Sequence, residues 1–153
     1  MKKPIRSIID NIQDFHIGLS SYFQSLKESA YDERSIMLLN YISKRENHIA
    51  NNLKEYLQDS DDKVLERGLE VAPCLPTNIF NKCSKDLDNC SPLYVDDIIA
   101  IAIHYDDCLI DFFTLLVKET EGTNAEPIFR NFLRQTQNEQ KKLARDSLWC
   151  QDL

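Results

Sequence analysis

The sequence predicts an all-α domain, and three observations carry that prediction. Apolar residues recur at three- and four-residue intervals over long stretches, the period of a helix with one buried face. Glycine and proline are scarce, 3 and 5 in 153 residues, too few for the turns of a sandwich or barrel. Residues suited to helix ends, Asp32, Gly122 and Asn124, fall between the periodic stretches.

The first stretch runs without a miss through Ile5, Ile8, Ile12, Phe15, Leu19, Tyr22 and Leu26, with Ile9, His16, Phe23 and Ala30 beside them. It describes a helix of roughly six turns with a wide apolar stripe, and Pro4 is tolerable in its first turn. After a break at Ser29 to Asp32, a second helix is expected over about Glu33 to Gln58, with Asp32 as its N-cap. Its stripe is Leu38, Ile42, Ile49, Leu53 and Tyr56; Arg45 falls on that stripe, with Glu46 and His48 toward the margins. Asp59 to Asp62 form a turn cluster able to cap a short helix through Leu65 to Gly68.

From there to Pro92 the pattern changes. Pro73, Pro76 and Pro92, three cysteines and the polar stretch from Ser84 to Asn89 argue against a long helix. This segment, about 60–92, reads as a crossover inside a single domain spanning 1–153. The third helix, about Val95 to Glu121, repeats the first one's rule with Val95, Ile98, Ala102, Tyr105, Leu109, Phe112 and Leu116. Ile101, Ile103, Ile110, Leu115 and Val117 add apolar surface beyond the needs of one core. Either the crossover or a second copy would cover it, which makes a homodimer through the third helix the expectation. Gly122 ends that helix, and Asn124 would cap a last one, about Ala125 to Trp149, with Pro127 in its first turn. The middle of that helix is polar on its inward stripe at Thr136, Glu139 and Gln140.

The expected architecture is a four-helix bundle of two helical hairpins joined by a long crossover. The halves resemble each other weakly. Phe15-His16-x-x-Leu19-x-x-Tyr22-Phe23 lies over Tyr105-Asp106-x-x-Leu109-x-x-Phe112-Phe113. Arg45-x-x-His48 lies over Thr136-x-x-Glu139, within a one-residue shift.

In these residues the chain resembles the ferritin-like superfamily, and within it the rubrerythrin-type half-repeat, over most of its length outside the crossover. The resemblance implies one Glu from the first helix of each half and a Glu-x-x-His from the second, six ligands holding two metals. Carried over, His16 and Asp106 occupy the positions of the first-helix glutamates. Arg45 stands where the first Glu of one Glu-x-x-His belongs, with His48 retained; Thr136 and Glu139 stand in for the other. No intact Glu-x-x-His occurs in the chain.

Charge arithmetic then argues against inherited di-iron chemistry. Two divalent cations need several carboxylates, whereas this set offers Asp106 and Glu139, with Glu46 marginal. Arg45 adds a positive charge that cannot be shed. The expectation is a metal-free polar cluster of His16, Arg45, His48, Asp106, Thr136 and Glu139, with no cofactor, in which Arg45 pairs with Asp106 or Glu139. An alternative swings Arg45 outward and leaves His16, His48, Asp106 and Glu139 to hold one Zn or Fe ion. A third possibility leaves the four residues at different levels, each satisfied locally.

The remaining features narrow the function classes. Lys and Arg total 18 against 25 Asp and Glu, a formal charge of −7, a poor match for nucleic acid, whose binding is largely cationic neutralisation. Polar residues break up the stretch after the basic N-terminus, so no signal peptide is expected, and the longest apolar run, Ile98 to Ile103, is too short for a membrane span. A cytoplasmic location with no membrane partner is the expectation, and Cys74, Cys83, Cys90, Cys108 and Cys150 read as mostly free thiols, with Cys74, Cys83 and Cys90 taken as structural rather than as a redox or zinc site. His104 lies off its helix's main stripe, toward the surface. Neither Asp96-Asp97 nor Asp106-Asp107 forms a chemical pair, since adjacent helical residues diverge by about 100°. No phosphate-binding or nucleophile-elbow motif is present. The chain reads as a non-catalytic binding or structural protein for a small ligand or a protein partner. The alternative is a metal-dependent oxidoreductase or a peroxide- or oxygen-handling protein on the one-metal site.

Overall fold

The computed structural model describes residues 2–69, 75 and 92–151, with side chains up to 145. Among them the chain is mostly helical: α1 spans Ile5–Ser25, α2 Glu33–Asp59, α3 Asp62–Leu65, α4 Val95–Glu119 and α5 Glu126–Gln151. A 3₁₀ turn at Leu26–Ser29 extends α1. None of these helices is long and apolar enough to cross a membrane.

Every position of the first apolar stripe is buried, from Ile5 to Leu26, and His16 is buried with it. α1 packs along α2, α4 along α5, and α2 touches α4, so that all four long helices feed one core. Its largest fully buried side chains include Phe15, Phe23, Phe113 and Phe129. Aromatic edges knit the elements together: Tyr105 of α4 meets Phe15 and Tyr22 of α1, with ring centroids 6.4 and 5.8 Å apart. Between α1 and α2, Ser20 Oγ donates to the Ser43 carbonyl and Ser43 Oγ donates to the Ser20 carbonyl, both at 2.9 Å. These reciprocal bonds satisfy hydroxyls that burial would otherwise penalise.

Two small backbone pairings tie the ends of the helices. Lys3–Pro4 (β1) pairs antiparallel with Gly68–Leu69 (β2), and Arg6 reaches Asp62 and Glu66 at the same end. At the other end Leu93 N–H donates to the Ser29 carbonyl and Tyr31 N–H to the Leu93 carbonyl, at 2.7 and 2.9 Å. Tyr31 and Tyr94 stack beside this bridge, centroids 4.4 Å apart. Because α2 and α4 both start at that bridge, residues a similar number of steps along each lie at one height. Arg45 is 13 residues beyond Asp32 and Asp106 is 12 beyond Tyr94, both about 18–20 Å from the bridge at the helical rise.

Most of the expected crossover falls outside the described residues, as do Cys74, Cys83 and Cys90 and the side chains of Trp149 and Cys150. Leu75 is described, and its backbone N–H and carbonyl are both held by the Asn11 side chain, at 2.8 and 3.1 Å. Asp32 caps α2, accepting from Ser35 N–H, and Asp61 accepts from Lys63 N–H at α3. The start of α5 departs from expectation. Thr123 Oγ1, not Asn124, accepts from Ala125 N–H, while Glu126 accepts from Gly122 N–H. Thr123 is preferred because its hydroxyl also donates to the Thr120 carbonyl, closing the turn from both sides. The surplus apolar residues of α4 divide: Ile101, Ile103 and Val117 pack partly against the core, and Leu115 stays 38% exposed.

Gly122 has φ +80°, and a Cβ there would meet nothing within 4 Å. Gly122→Ala should therefore cost about 1–2 kcal/mol through backbone strain alone, read as a shift in the urea midpoint at unchanged slope.

Candidate functional site

The centre of the core is ionic. Glu46, on α2, is 1% exposed and lies on the stripe between Leu39 and Leu53, each seven residues away and buried. The stripe is thus rotated from the one read in the sequence: Glu46 sits in the middle, and Arg45 enters from its edge. The missed signal was the seven-residue spacing of Leu39, Glu46 and Leu53, the same spacing that singled out His16 between Ile9 and Phe23.

Glu46 takes a partner on each oxygen. His16 Nδ1 donates to Oε2 at 2.5 Å, and Arg45 Nη2 donates to Oε1 at 2.8 Å. The same Nη2 reaches Asp106 on α4, 3.2 and 3.4 Å from its two oxygens. Side-chain exposure is 5% for His16, 8% for Arg45 and 4% for Asp106. The four groups come from three helices and form one continuous network.

Its two carboxylates are not equivalent. Burial alone would raise the Glu46 carboxyl, but His16 and then Arg45 outweigh it and hold it below the usual range. Being ionised, Glu46 can only accept, so His16 carries its proton on Nδ1. Asp106 has the longer bonds to Arg45. Burial dominates there, the negative Glu46 adds to it, and Asp106 is pushed up from 3.8 to about 6. Arg45 feels a desolvation that would lower its value, but Glu46, Asp106 and, more weakly, Glu139 keep it above normal and fully charged.

The other candidate residues are in the lining of a cavity of about 360 Å³ beside this network. His48, Thr136 and Glu139 border it together with His16, Arg45 and Asp106. His48 is exposed, whereas Thr136 and Glu139 are half-buried. Thr136 Oγ1 donates to the Phe132 carbonyl. Gln140 turns the other way, to Asp107 at 2.7 Å, so Asp106 and Asp107 face different surroundings. His104 is exposed, its ring edge on Tyr105. Cys108 is a half-buried free thiol, raised by burial and by the neighbouring Asp111 and Asp107.

As arranged, these donors do not fit a divalent metal. Asp106 faces the Arg45 guanidinium, both Glu46 oxygens are engaged, and His48 lies at the surface. Among the described residues, no three or more His, Cys, Asp or Glu side chains are grouped so as to hold an ion. What the arrangement can do chemically is hold one fixed positive charge and a proton that moves near neutral pH on Asp106.

Compared with known proteins, the chain matches no family model, no curated protein and no solved structure. Its class is therefore defined by its own geometry: a mostly helical protein with a buried His–Glu–Arg–Asp network at mid-height and a cavity beside it.

The network leads to two expected outcomes. Arg45→Ala leaves Glu46 and Asp106 buried without their cation and should cost about 3–5 kcal/mol in urea unfolding. The pH dependence has a definite sign. The folded value of Asp106, about 6, lies above the ordinary 3.8, so the folded state binds the proton first. Its contribution is complete below 3.8 and is lost as pH rises through about 6. Wild type should gain up to about 3 kcal/mol over Asp106→Asn on going from pH 7 to pH 4, measured by parallel denaturation curves.

Proposed function

We propose that the chain is a ferritin-like four-helix bundle, cytoplasmic, in which an ion-pair network stands where related bundles hold two metals, and that it acts as a non-catalytic binding protein. The observation that carries this reading is Arg45, locked between Glu46 and Asp106 at the level where inherited ligands would converge. A guanidinium there neutralises the carboxylates permanently and repels a divalent ion. The topology is supported by the common starting end of α2 and α4, the arrangement expected of two hairpins joined by a long crossover. Binding rather than catalysis is supported by the cavity, whose polar groups, among the described residues, include no nucleophile paired with a base. A homodimer through α4 belongs to the same proposal, Leu115 being its exposed apolar residue, and light scattering at micromolar concentration returning a monomer mass would remove it.

Elemental analysis of the purified protein, with melts in the presence and absence of a chelator, tests the central claim. The expected result is no stoichiometric transition metal and no chelator effect, with His48→Ala within about 0.5 kcal/mol of wild type, as for an ordinary surface change. About one Zn or Fe per chain, lost together with stability in His48→Ala, would overturn the reading. It would favour a metal-dependent oxidoreductase built on His16, His48, Asp106 and Glu139.

A further inference from the structure

The guanidinium at the centre of the network is only partly used. Nη2 serves both Glu46 and Asp106, while Nε and Nη1 are buried and have no hydrogen-bond partner among the described residues. Buried donors are paired in most proteins, and an orphan on a charged group costs more than one on a neutral group. The Arg45 side chain, 8% exposed, also borders the cavity of about 360 Å³, which is lined from all four long helices. That volume lies within the range of small-ligand sites.

The cavity has two kinds of wall. Leu109, Phe113 and Phe132 give an apolar, largely aromatic side, and Arg45, Thr136 and Glu139 give a polar one. The lining residues His48 and Asn52 on α2 and Gln135 and Asn138 on α5 are exposed, so the cavity reaches the surface between these two helices. A second hollow, reaching Tyr56 and Pro127, continues from the same rim. The charge of Arg45 is already met by two carboxylates, and Glu139 adds negative potential. A ligand anion would place a further negative charge beside them, and a ligand cation would face Arg45. The complement left is a neutral acceptor.

Building on the metal-free binding reading, we infer that this cavity takes an uncharged small organic molecule, with an aromatic or similarly apolar body against Phe113 and Phe132 and a carbonyl or amide oxygen accepting from Arg45.

Three probes that share a ring and differ in the head group test this on the full, isotope-labelled chain: benzamide, benzoate and benzylamine. Nuclear magnetic resonance follows the Arg45 Nε–H signal and the backbone amides of Phe132 and Gln135. Benzamide at millimolar concentration should shift all three saturably, and the two charged probes should bind at least about tenfold more weakly. Gln135→Trp, which adds bulk at an exposed residue of the cavity lining, should abolish the shifts, and Arg45→Met should weaken binding about tenfold. If Arg45→Met fails to fold, Gln135→Trp still decides. Stronger binding of benzoate or benzylamine would overturn the ligand class. Undiminished benzamide binding to Gln135→Trp, or no response of the folded, metal-free protein to benzamide, would overturn the site. Bound metal in the elemental analysis would instead remove the reading on which the inference rests.

Discussion

A guanidinium keeps its proton under any condition a folded protein survives, so a core that admits one has to bring carboxylates to it and hold them there. Most of the arrangement around Arg45 answers that demand. Glu46 is its neighbour in sequence and comes with it at no cost in chain organisation. Asp106 is 61 residues away, and its presence depends on α4 standing at the right height beside α2. The bridge from Ser29 and Tyr31 to Leu93 sets that height. The pairing of β1 with β2 and the Asn11 clasp on Leu75 anchor α1 to the chain beyond α2, on the His16 side of the network.

The network also has a hierarchy. Glu46 receives two short bonds, from His16 and Arg45, and stays ionised; Asp106 receives the longer share of one nitrogen and is left protonatable near neutral pH. Two carboxylates competing for one donor repel each other, and the one with fewer partners is the one that yields. The ion pair is therefore stronger in placing groups than in stabilising the fold, as is common for buried charges whose desolvation offsets their attraction. A hydrophobic replacement of the whole set could be as stable, but it would leave no fixed charge beside the cavity.

That cavity exists because the inward side of α5 is not filled. Thr136 and Glu139 occupy positions where large apolar residues would have closed the space against α2, and Phe132 and Phe129 pack one turn or more away. A polar mid-section on one helix thus serves two ends: it leaves room, and it keeps Glu139 close enough to act on Arg45.

The sequence alone determined the helices and most of their limits, because a 3.6-residue period and cap residues such as Asp32 are local properties that any packing must respect. It also singled out His16, Arg45 and Asp106 as polar residues on or beside apolar stripes. Two things were decided only by tertiary structure. One is the rotation of α2: Arg45 and Glu46 are adjacent, a shift of about 100° exchanges their roles, and which of them faces the centre depends on where His16 of another helix offers a partner. The other is the alignment of α2 with α4 through the Leu93 bridge and, with it, the cavity, since a void belongs to the space between helices and leaves no periodicity in any one of them.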